Sequence, residues 1–161
     1  MAKTSYAIAL GSNRRHGRHG GPAQVLEAAI EAIAALGDVD RGSTIRTTPA
    51  LGPAGRSFAN AALMLTTDLQ PYELLAALNA IERDFGRRPG RKWGPRVLDL
   101  DIILWSEGAW GGPGPTIPHP EFRRRRFVLE PLVEIAPGWR DPIGGATVRQ
   151  LLHRQRRARS G

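Results

Sequence analysis

Two aspartates separated by one residue, Asp99 and Asp101, are the side chains of this sequence best suited to chemistry. They lie in an apolar run after a basic loop, in the stretch RKWGPRVLDLDIILW that covers residues 91–105. Side chains of a β-strand alternate with a period of two, so both carboxylates share one face, roughly 7 Å apart along the strand. Two like charges on one face are costly unless a cation neutralises them. The pair therefore indicates a cation site.

Phosphate transfer is the chemistry that such a pair could support. Carboxylate oxygens that leave room for substrate phosphates are typical of a Mg²⁺ site. Arg91, Lys92 and Arg96 precede the aspartates and could hold a polyphosphate. The alternative is the solvated face of an edge strand with two ordinary aspartates, which the D-x-D spacing alone would favour. The preceding W-G-P-R sequence, residues 93–96, argues against that alternative.

Hydrophobic periodicity predicts the elements that must position these residues. It predicts strands over residues 6–10, 39–48, 58–67 and 97–105. It predicts helices over residues 22–37 and 71–86, each opened by a proline. Helical patterning over 122–135 is expected to be interrupted by Pro131, and Thr147 is expected to cap a short final helix. A basic tail from about residue 154 is expected to fray.

The order β-α-β-β-α-β predicts an α+β fold with a ferredoxin-like core, in which helices pack on one face of a mainly antiparallel sheet. We expect residues 1–161 to form a single domain. In the last strand, the face opposite the aspartates is expected to carry the apolar side chains Leu98, Leu100, Ile102 and Leu104.

Composition narrows the class of protein. The absence of cysteine excludes disulfides and thiolate metal sites. No apolar run reaches transmembrane length and no signal-peptide pattern opens the chain, so a cytoplasmic protein is expected. The net charge of +8 suggests polyanionic partners, either nucleic acid or a nucleoside triphosphate. Nearly all of the excess is arginine, which a GC-rich genome also favours, so the charge is discounted as evidence of function. Neither the P-loop motif nor the G-x-G-x-x-G dinucleotide motif occurs, so a nucleotide enzyme here needs another architecture.

Three further segments could bind a substrate, although each has a plainer interpretation. The G-S-N turn at 11–13 could contact phosphate, but an ordinary turn at the end of a strand is favoured. Phe58 and Asn60 share a strand face and together suit a flat ring with a polar edge, although a lone phenylalanine is more often core. Residues 118–127 combine a histidine, four arginines and two phenylalanines; a solvated basic face is favoured and a nucleic-acid arm is possible.

Taken together, these motifs resemble the 6-hydroxymethyl-7,8-dihydropterin pyrophosphokinase family of folate biosynthesis. The segments that carry the resemblance follow one another in family order, at residues 8–13, 46–53, 58–62, 81–87, 93–102 and 117–132. The W-G-P-R-V-L-D-L-D-I run at 93–102 is the most specific of them. The resemblance implies transfer of a pyrophosphoryl group from ATP, as co-substrate, to the hydroxymethyl oxygen of a reduced pterin, with release of AMP.

The same resemblance implies roles for individual residues. Catalytic roles fall to Arg87, Arg96, Asp99 and Asp101, and the two aspartates would also bind a pair of Mg²⁺ ions. Pterin contacts are implied for Thr48, Pro49, Leu51, Phe58, Asn60, Trp93 and Phe127. ATP contacts are implied for Glu82, Arg87, Trp93, Arg96, Ile102, His119 and Arg125. Gly114 and Pro120 stand where some members carry an arginine and an aromatic nucleotide contact. The implied partners are ATP and a reduced pterin, without nucleic acid or membrane, and the implied state is a monomer.

A basic nucleic-acid-binding module of ferredoxin-like fold is the alternative function. That class would expect exposed aromatic residues on the sheet in an RNP1 pattern, which the sequence lacks. It also gives no reason for two acidic residues in the binding strand, because they would repel phosphate. The enzyme hypothesis is therefore preferred.

Overall fold

An antiparallel sheet with β1 near its centre organises the computed structural model, which describes residues 2–13, 19–48, 57–86 and 97–160. The elements are β1 (Thr4–Ser12), α1 (Pro22–Ala34), β2 (Asp38–Gly42), β3 (Arg46–Thr48), β4 (Phe58–Thr67), α2 (Pro71–Asp84), β5 (Asp99–Trp105), a 3₁₀ turn (Phe122–Arg124), α3 (Arg126–Ile135) and α4 (Val148–Ser160). No helix among these residues is long and apolar enough to span a membrane.

The sheet has the strand order β2-β4-β1-β5, and every neighbouring pair is antiparallel. This order, with α1 and α2 as the connections, confirms the predicted ferredoxin-like core. The single strand predicted over 39–48 is two strands, because Gly42 pairs with Leu63 whereas Arg46 pairs with Asn60. Residues 43–45 therefore lie opposite only two residues of β4, at positions 61 and 62. The extra residue interrupts the ladder of backbone hydrogen bonds between β2 and β3.

Helices cover both faces of the sheet. The predicted placement on one face holds for α1 and α2, the helices of the ferredoxin-like core, but not for the helices that follow β5. Helices α1 and α2 pack on one face with the larger apolar cluster. The 3₁₀ turn, α3 and α4 pack on the other face with a second cluster. The physical reason is that β1 and β4 are apolar on both sides, and a sheet that is apolar on both faces needs a layer on each. The strand residues of the second cluster are Ala7, Ala9, Ala62, Ile103 and Leu104.

A β-bulge in β5 changes the predicted distribution of its side chains. Ile8 pairs with Ile102 and Ala7 pairs with Leu104, so Ile103 is an extra residue in the ladder. Beyond the bulge Leu104 joins the second cluster, and its prediction on the face opposite the aspartates is wrong. Leu98, Leu100 and Ile102 precede the bulge and lie in the first cluster as predicted.

The C-terminal helices also differ from expectation. Helix α3 continues through Pro131, because burial of Val128, Leu129 and Leu132 outweighs the one backbone hydrogen bond that the proline removes. Helix α4 extends to Ser160 where a frayed tail was predicted, since arginine has a high helix propensity. The predicted Thr147 cap is confirmed: Gln150 N donates to Thr147 Oγ1 at 3.1 Å, and Thr147 N donates to Gln150 Oε1 at 2.9 Å.

An ion pair between Arg123 and Asp141 joins the 3₁₀ turn to the segment before α4. Asp141 is only 3% exposed, and Arg123 Nη2 lies 2.7 Å from its Oδ1. The hydrogen bonds from Arg123 outweigh the effect of burial and lower the pKa of Asp141 to about 2 from the ordinary 3.8. The backbone N–H of Ile143 also donates to this carboxylate, at 3.0 Å. The pair therefore anchors a turn on the α3 side of the sheet.

We expect this ion pair to give the protein acid-labile stability. Because the pKa is lowered in the folded state, the contribution is fully present above about pH 4 and is lost as the pH falls toward 2. Its size should be on the order of 2 kcal/mol, from about 1.4 kcal/mol per pKa unit. Urea unfolding of the wild type and of Asp141→Asn between pH 7 and pH 2 measures it. A stability difference that does not shrink with falling pH would contradict the assignment.

Candidate active site

A cavity of about 420 Å³ opens where several elements begin or end. Strand β1 ends at Ser12, β3 ends at Thr48, β4 begins at Phe58, β5 begins at Asp99, and α3 begins at Arg126. The residues that line the cavity come from all of these elements and are Gly11, Ser12, Asn13, Thr48, Phe58, Asn60, Asp99 and Phe127. Five segments far apart in sequence thus contribute to one site.

Three paired residues of neighbouring strands form the floor of the cavity. Gly11 pairs with Asn60 on one side and with Asp99 on the other. Neighbouring strands are about 4.8 Å apart, so the amide and the carboxylate stand roughly 10 Å apart across β1. A Cβ atom on Gly11 would lie 3.3 Å from Asn60 Oδ1, closer than side chains usually pack. The glycine therefore keeps the floor open between these two polar groups.

The aspartates lie on one face of β5, as predicted. Both side chains are half-buried. Asp99 pairs with Gly11, and Asp101 pairs with Ala9, two residues further from the cavity end of the strands. His119 Nε2 lies 4.0 Å from Asp101 Oδ1. The ring is held in this direction because His119 N donates to Ile103 O at 3.0 Å, and Nδ1 accepts from Glu121 N at 3.1 Å. Since Nδ1 accepts, a neutral ring carries its proton on Nε2, toward the carboxylate.

The aspartate pair suits a hard cation. Among the described residues there is no group of three or more His, Asp or Glu side chains that could hold a metal ion. Two carboxylates that leave the other positions to water and phosphate fit Mg²⁺, which keeps several waters and binds through one or two carboxylates plus substrate oxygens. The donor set does not fit a structural zinc site, which takes four protein ligands.

Two phenylalanines form the aromatic walls of the cavity. Phe58 at the start of β4 is 46% exposed, and Phe127 in the first turn of α3 is 53% exposed. Arg125 places its guanidinium carbon 5.7 Å from the centre of the Phe127 ring. Rings this exposed leave apolar surface in water, and a flat ligand ring would cover it.

The structure places the other predicted site residues as follows. Thr48 and Asn60 line the cavity with Phe58. Ile102 is buried in the first cluster, on the opposite face of the sheet from the cavity. Glu82 is also buried, and its Oε2 accepts a 2.9 Å hydrogen bond from Leu100 N, between the two aspartates. The predicted residues Pro49, Leu51, Arg87, Trp93 and Arg96 lie outside the described residues.

The turn at 11–13, for which an ordinary role was favoured, belongs to the site. Ser12 Oγ donates to Val97 O at 2.6 Å and so joins the end of β1 to the residues before β5. Asn13 Oδ1 is buried, and among the described residues it has no hydrogen-bond donor. Buried acceptors are normally satisfied, so this oxygen is an exception, and it belongs to a residue that lines the cavity. The G-S-N sequence after a strand was the only signal of this role.

Gly114 and Pro120 depart from some family members, and the structure accommodates the first departure. Gly114 has a φ of +101°, a conformation that other residues rarely adopt. A Cβ atom there would lie 2.8 Å from Tyr72 Cα. An arginine at this position would therefore require both strained backbone and a displaced α2.

The sheet is antiparallel with helices on both faces, and at one end a carboxylate pair lies beside a cavity with two aromatic walls. This combination is typical of an α+β protein that binds small molecules. Within that class the chain belongs to the 7,8-dihydro-6-hydroxymethylpterin-pyrophosphokinase family, whose model matches residues 7–137.

Two bacterial relatives are each named 2-amino-4-hydroxy-6-hydroxymethyldihydropteridine pyrophosphokinase. The one from Synechocystis sp. is 43% identical over 129 residues, which are 79% of this chain and 66% of the relative. The one from Pseudomonas aeruginosa is 39% identical over 140 residues, which are 85% of this chain and 83% of the relative. The chain therefore spans about two thirds of the first relative's length and most of the second's.

Solved structures share the fold at low sequence identity. A crystal structure of HPPK-DHPS in complex with substrates aligns with a TM-score of 0.72 at 12% identity, over 98% of this chain and 44% of that chain. The wild-type Plasmodium falciparum HPPK-DHPS with pteroate aligns with a TM-score of 0.71 at 11% identity, over 94% of this chain and 42% of that chain. The chain thus spans less than half the length of these neighbours, and the likeness supports the fold.

Proposed function

We propose that this protein transfers the pyrophosphoryl group of ATP to the hydroxymethyl oxygen of 6-hydroxymethyl-7,8-dihydropterin and releases AMP, as a step of folate biosynthesis. The observation that carries the proposal is the cavity, which combines two aromatic walls with a carboxylate at the end of the same sheet. The family membership and the names of the relatives support it.

The pterin would lie between Phe58 and Phe127, because a flat heterocycle covers the exposed faces of both rings. The amide of Asn60 offers a hydrogen-bond donor and an acceptor to the polar edge of the ring. Thr48 is the strand partner of Phe58 and lies next to the same aromatic wall. Asn13 Oδ1 supplies a further buried acceptor. In this orientation the hydroxymethyl group would extend toward Asp99, on the other side of Gly11.

The carboxylates would serve the phosphate side of the reaction. Asp99 and Asp101 would hold two Mg²⁺ ions, which when bound neutralise the ATP phosphates and the acceptor oxygen. The pterin oxygen forms a bond to the β-phosphorus, the bond from that phosphorus to the α–β bridging oxygen breaks, and the hydroxyl proton is released. Little covalent assistance is needed in such a transfer, so alignment and charge neutralisation are the protein's contribution.

The arginines and the tryptophan complete the proposal. Arg87 and Arg96 would contact the triphosphate, and Trp93 would contact both substrates. His119 and Arg125 would bind the nucleotide, and both lie near the cavity on the α3 side of the sheet. Glu82 and Ile102 keep their proposed place in the ATP site. In the structure Glu82 accepts a hydrogen bond from Leu100 of β5, and Ile102 packs in the first apolar cluster. A single domain, a monomeric state and a cytoplasmic location stay predictions.

The nucleic-acid alternative gains no support from the site. Nucleic-acid binding requires neutralisation of backbone phosphates by cationic groups. The floor of the described cavity instead carries a carboxylate, which repels phosphate unless a metal ion intervenes.

An AMP-release assay with purified protein, ATP, Mg²⁺ and the reduced hydroxymethylpterin tests the proposed function. AMP and the pterin diphosphate should appear in equal amounts, and neither should form when the pterin lacks its hydroxymethyl group. Formation of ADP in place of AMP, or no product at any substrate concentration, would overturn the proposal.

A further inference from the structure

A group of charged side chains joins α3 to β3 beside the cavity, and we call it the α3 clamp. Its members are Thr44, Arg46, Arg126, Glu130 and Glu134. Arg46 Nη1 lies 3.2 Å from Glu130 Oε2, and its Nη2 lies 3.1 Å from Glu134 Oε2. Arg46 Nε also donates to Glu134 Oε2, at 3.1 Å. One arginine of the sheet therefore contacts two successive turns of the helix.

The remaining members hold these carboxylates in place. Thr44 donates to Glu134 Oε1 from both its backbone N–H, at 3.2 Å, and its hydroxyl, at 3.0 Å. Arg126 Nε donates to Glu130 Oε1 at 3.0 Å. Burial raises the pKa of Glu134, but the bonds from Thr44 and Arg46 outweigh it and lower that pKa. These bonds therefore favour the ionised form of Glu134.

The clamp is a network of ion pairs and hydrogen bonds, which distinguishes it from an isolated surface ion pair. The side chain of Arg46 is 44% exposed, whereas those of Glu130 and Glu134 are 23% and 28% exposed. Isolated exposed pairs contribute little to stability, whereas networks with fixed geometry contribute more. Arg41 adds a parallel link, since its Nη1 donates to Ile135 O at 3.3 Å.

The clamp connects the two aromatic walls of the cavity. Arg46 lies two residues before Thr48 on the same face of β3, and Thr48 pairs directly with Phe58. Glu130 lies three residues after Phe127, which places the two side chains on neighbouring positions of the α3 surface. The clamp therefore approaches one wall through Arg46, whose partner Asn60 is two residues from Phe58, and the other through Glu130, one turn from Phe127.

We propose that Arg46, through Glu130 and Glu134, is a positioning residue that sets the separation of Phe58 and Phe127 and so fits the cavity to a single planar heterocycle. This inference rests on the proposed function and deepens it. Both rings are about half exposed, so packing around the rings themselves fixes their separation weakly. The placement of α3 against β3 must then supply the rigidity that stacking on both faces requires.

Arg46→Met tests the proposal, because it removes the guanidinium and keeps an unbranched apolar side chain. The KM and Kd for the pterin should rise about tenfold, the size of one lost aromatic contact. The kcat and the Kd of a non-hydrolysable ATP analogue should stay within about twofold of wild type, since uniform substrate binding is what is lost. Arg46→Lys should restore part of the pterin affinity. Lys3→Met is the matched control, because Lys3 pairs with Asp38 at 3.6 Å on the exposed surface.

Glu134→Gln provides a second route to the same measurement and covers the case in which Arg46→Met does not fold. It should raise the pterin KM in the same way, and the double variant should be no worse than the more impaired single variant. A purely structural role would lower the melting temperature and leave the pterin KM unchanged, and that result would overturn the proposal. Its failure is distinct from failure of the proposed function, in which the wild type itself would neither bind the pterin nor release AMP.

Discussion

Replacement of Asp99 or Asp101 by asparagine is expected to abolish AMP release, by on the order of 10³-fold or more. A catalytic metal supplies several kcal/mol of charge stabilisation in the transition state, and each 1.36 kcal/mol is a factor of ten in rate. The substitution removes one charge from the site with almost no change in volume. Neither side chain belongs to either apolar cluster, so the fold should be retained.

Steady-state AMP release at saturating substrates and several Mg²⁺ concentrations measures this effect, with circular dichroism to verify the fold. Asp68→Asn is the matched control, since Asp68 is exposed just after the end of β4 that lies away from the cavity. Wild-type turnover by either site variant at ordinary magnesium would exclude the carboxylates as metal ligands. Loss of turnover in the Asp68 control would show that the assay reports a general effect of charge.

Replacement of Phe58 or Phe127 by alanine is expected to weaken pterin binding about tenfold or more and to leave ATP binding nearly unchanged. Stacking on one aromatic ring contributes about 0.5–1.5 kcal/mol beyond the burial of its area. The area term adds to this, because each ring presents about half of its surface to the cavity or solvent. Both variants should fold, since neither ring is buried in the core.

Calorimetric titration with the pterin, and separately with an ATP analogue and Mg²⁺, distinguishes the two sites. Ile143→Ala is the control for removal of an exposed apolar side chain, because Ile143 is 73% exposed and lies outside the cavity. Unchanged pterin affinity in both phenylalanine variants would remove the aromatic walls from the binding site. An equal loss of ATP affinity would mean that the rings support the whole site and not the pterin alone.

The pattern of neighbouring residues in the sequence predicted much of the fold and the aspartate side of the candidate site. The shared face of Asp99 and Asp101 followed from the strand period, which is a property of consecutive residues. The order of strands and helices was likewise predicted from periodicity, and it limits the connections to a few topologies. These features depend on neighbours in sequence, and a single sequence carries that information.

Features that depend on pairing between distant segments could not be predicted in the same way. The bulge at Ile103 depends on how β5 meets β1, and it moved Leu104 to the other face. The place of α3 depends on apolar surface on both sides of β1 and β4. The role of the turn at 11–13 depends on the strand pairing that places Gly11 between Asn60 and Asp99. A G-S-N turn has the same local sequence whether or not a cavity lies above it.

The hydrogen bond from Leu100 to Glu82 has a consequence for association between molecules. β5 is the last strand of the sheet order, so its outer side has no neighbouring strand in the described sheet. Unpaired amides on such an edge can recruit an extended segment from another chain. The Glu82 side chain occupies the amide that lies between the two aspartates, so a second strand could not pair there without displacing a buried side chain. The residue that supports the aspartate strand thereby closes one position of its edge to strand addition.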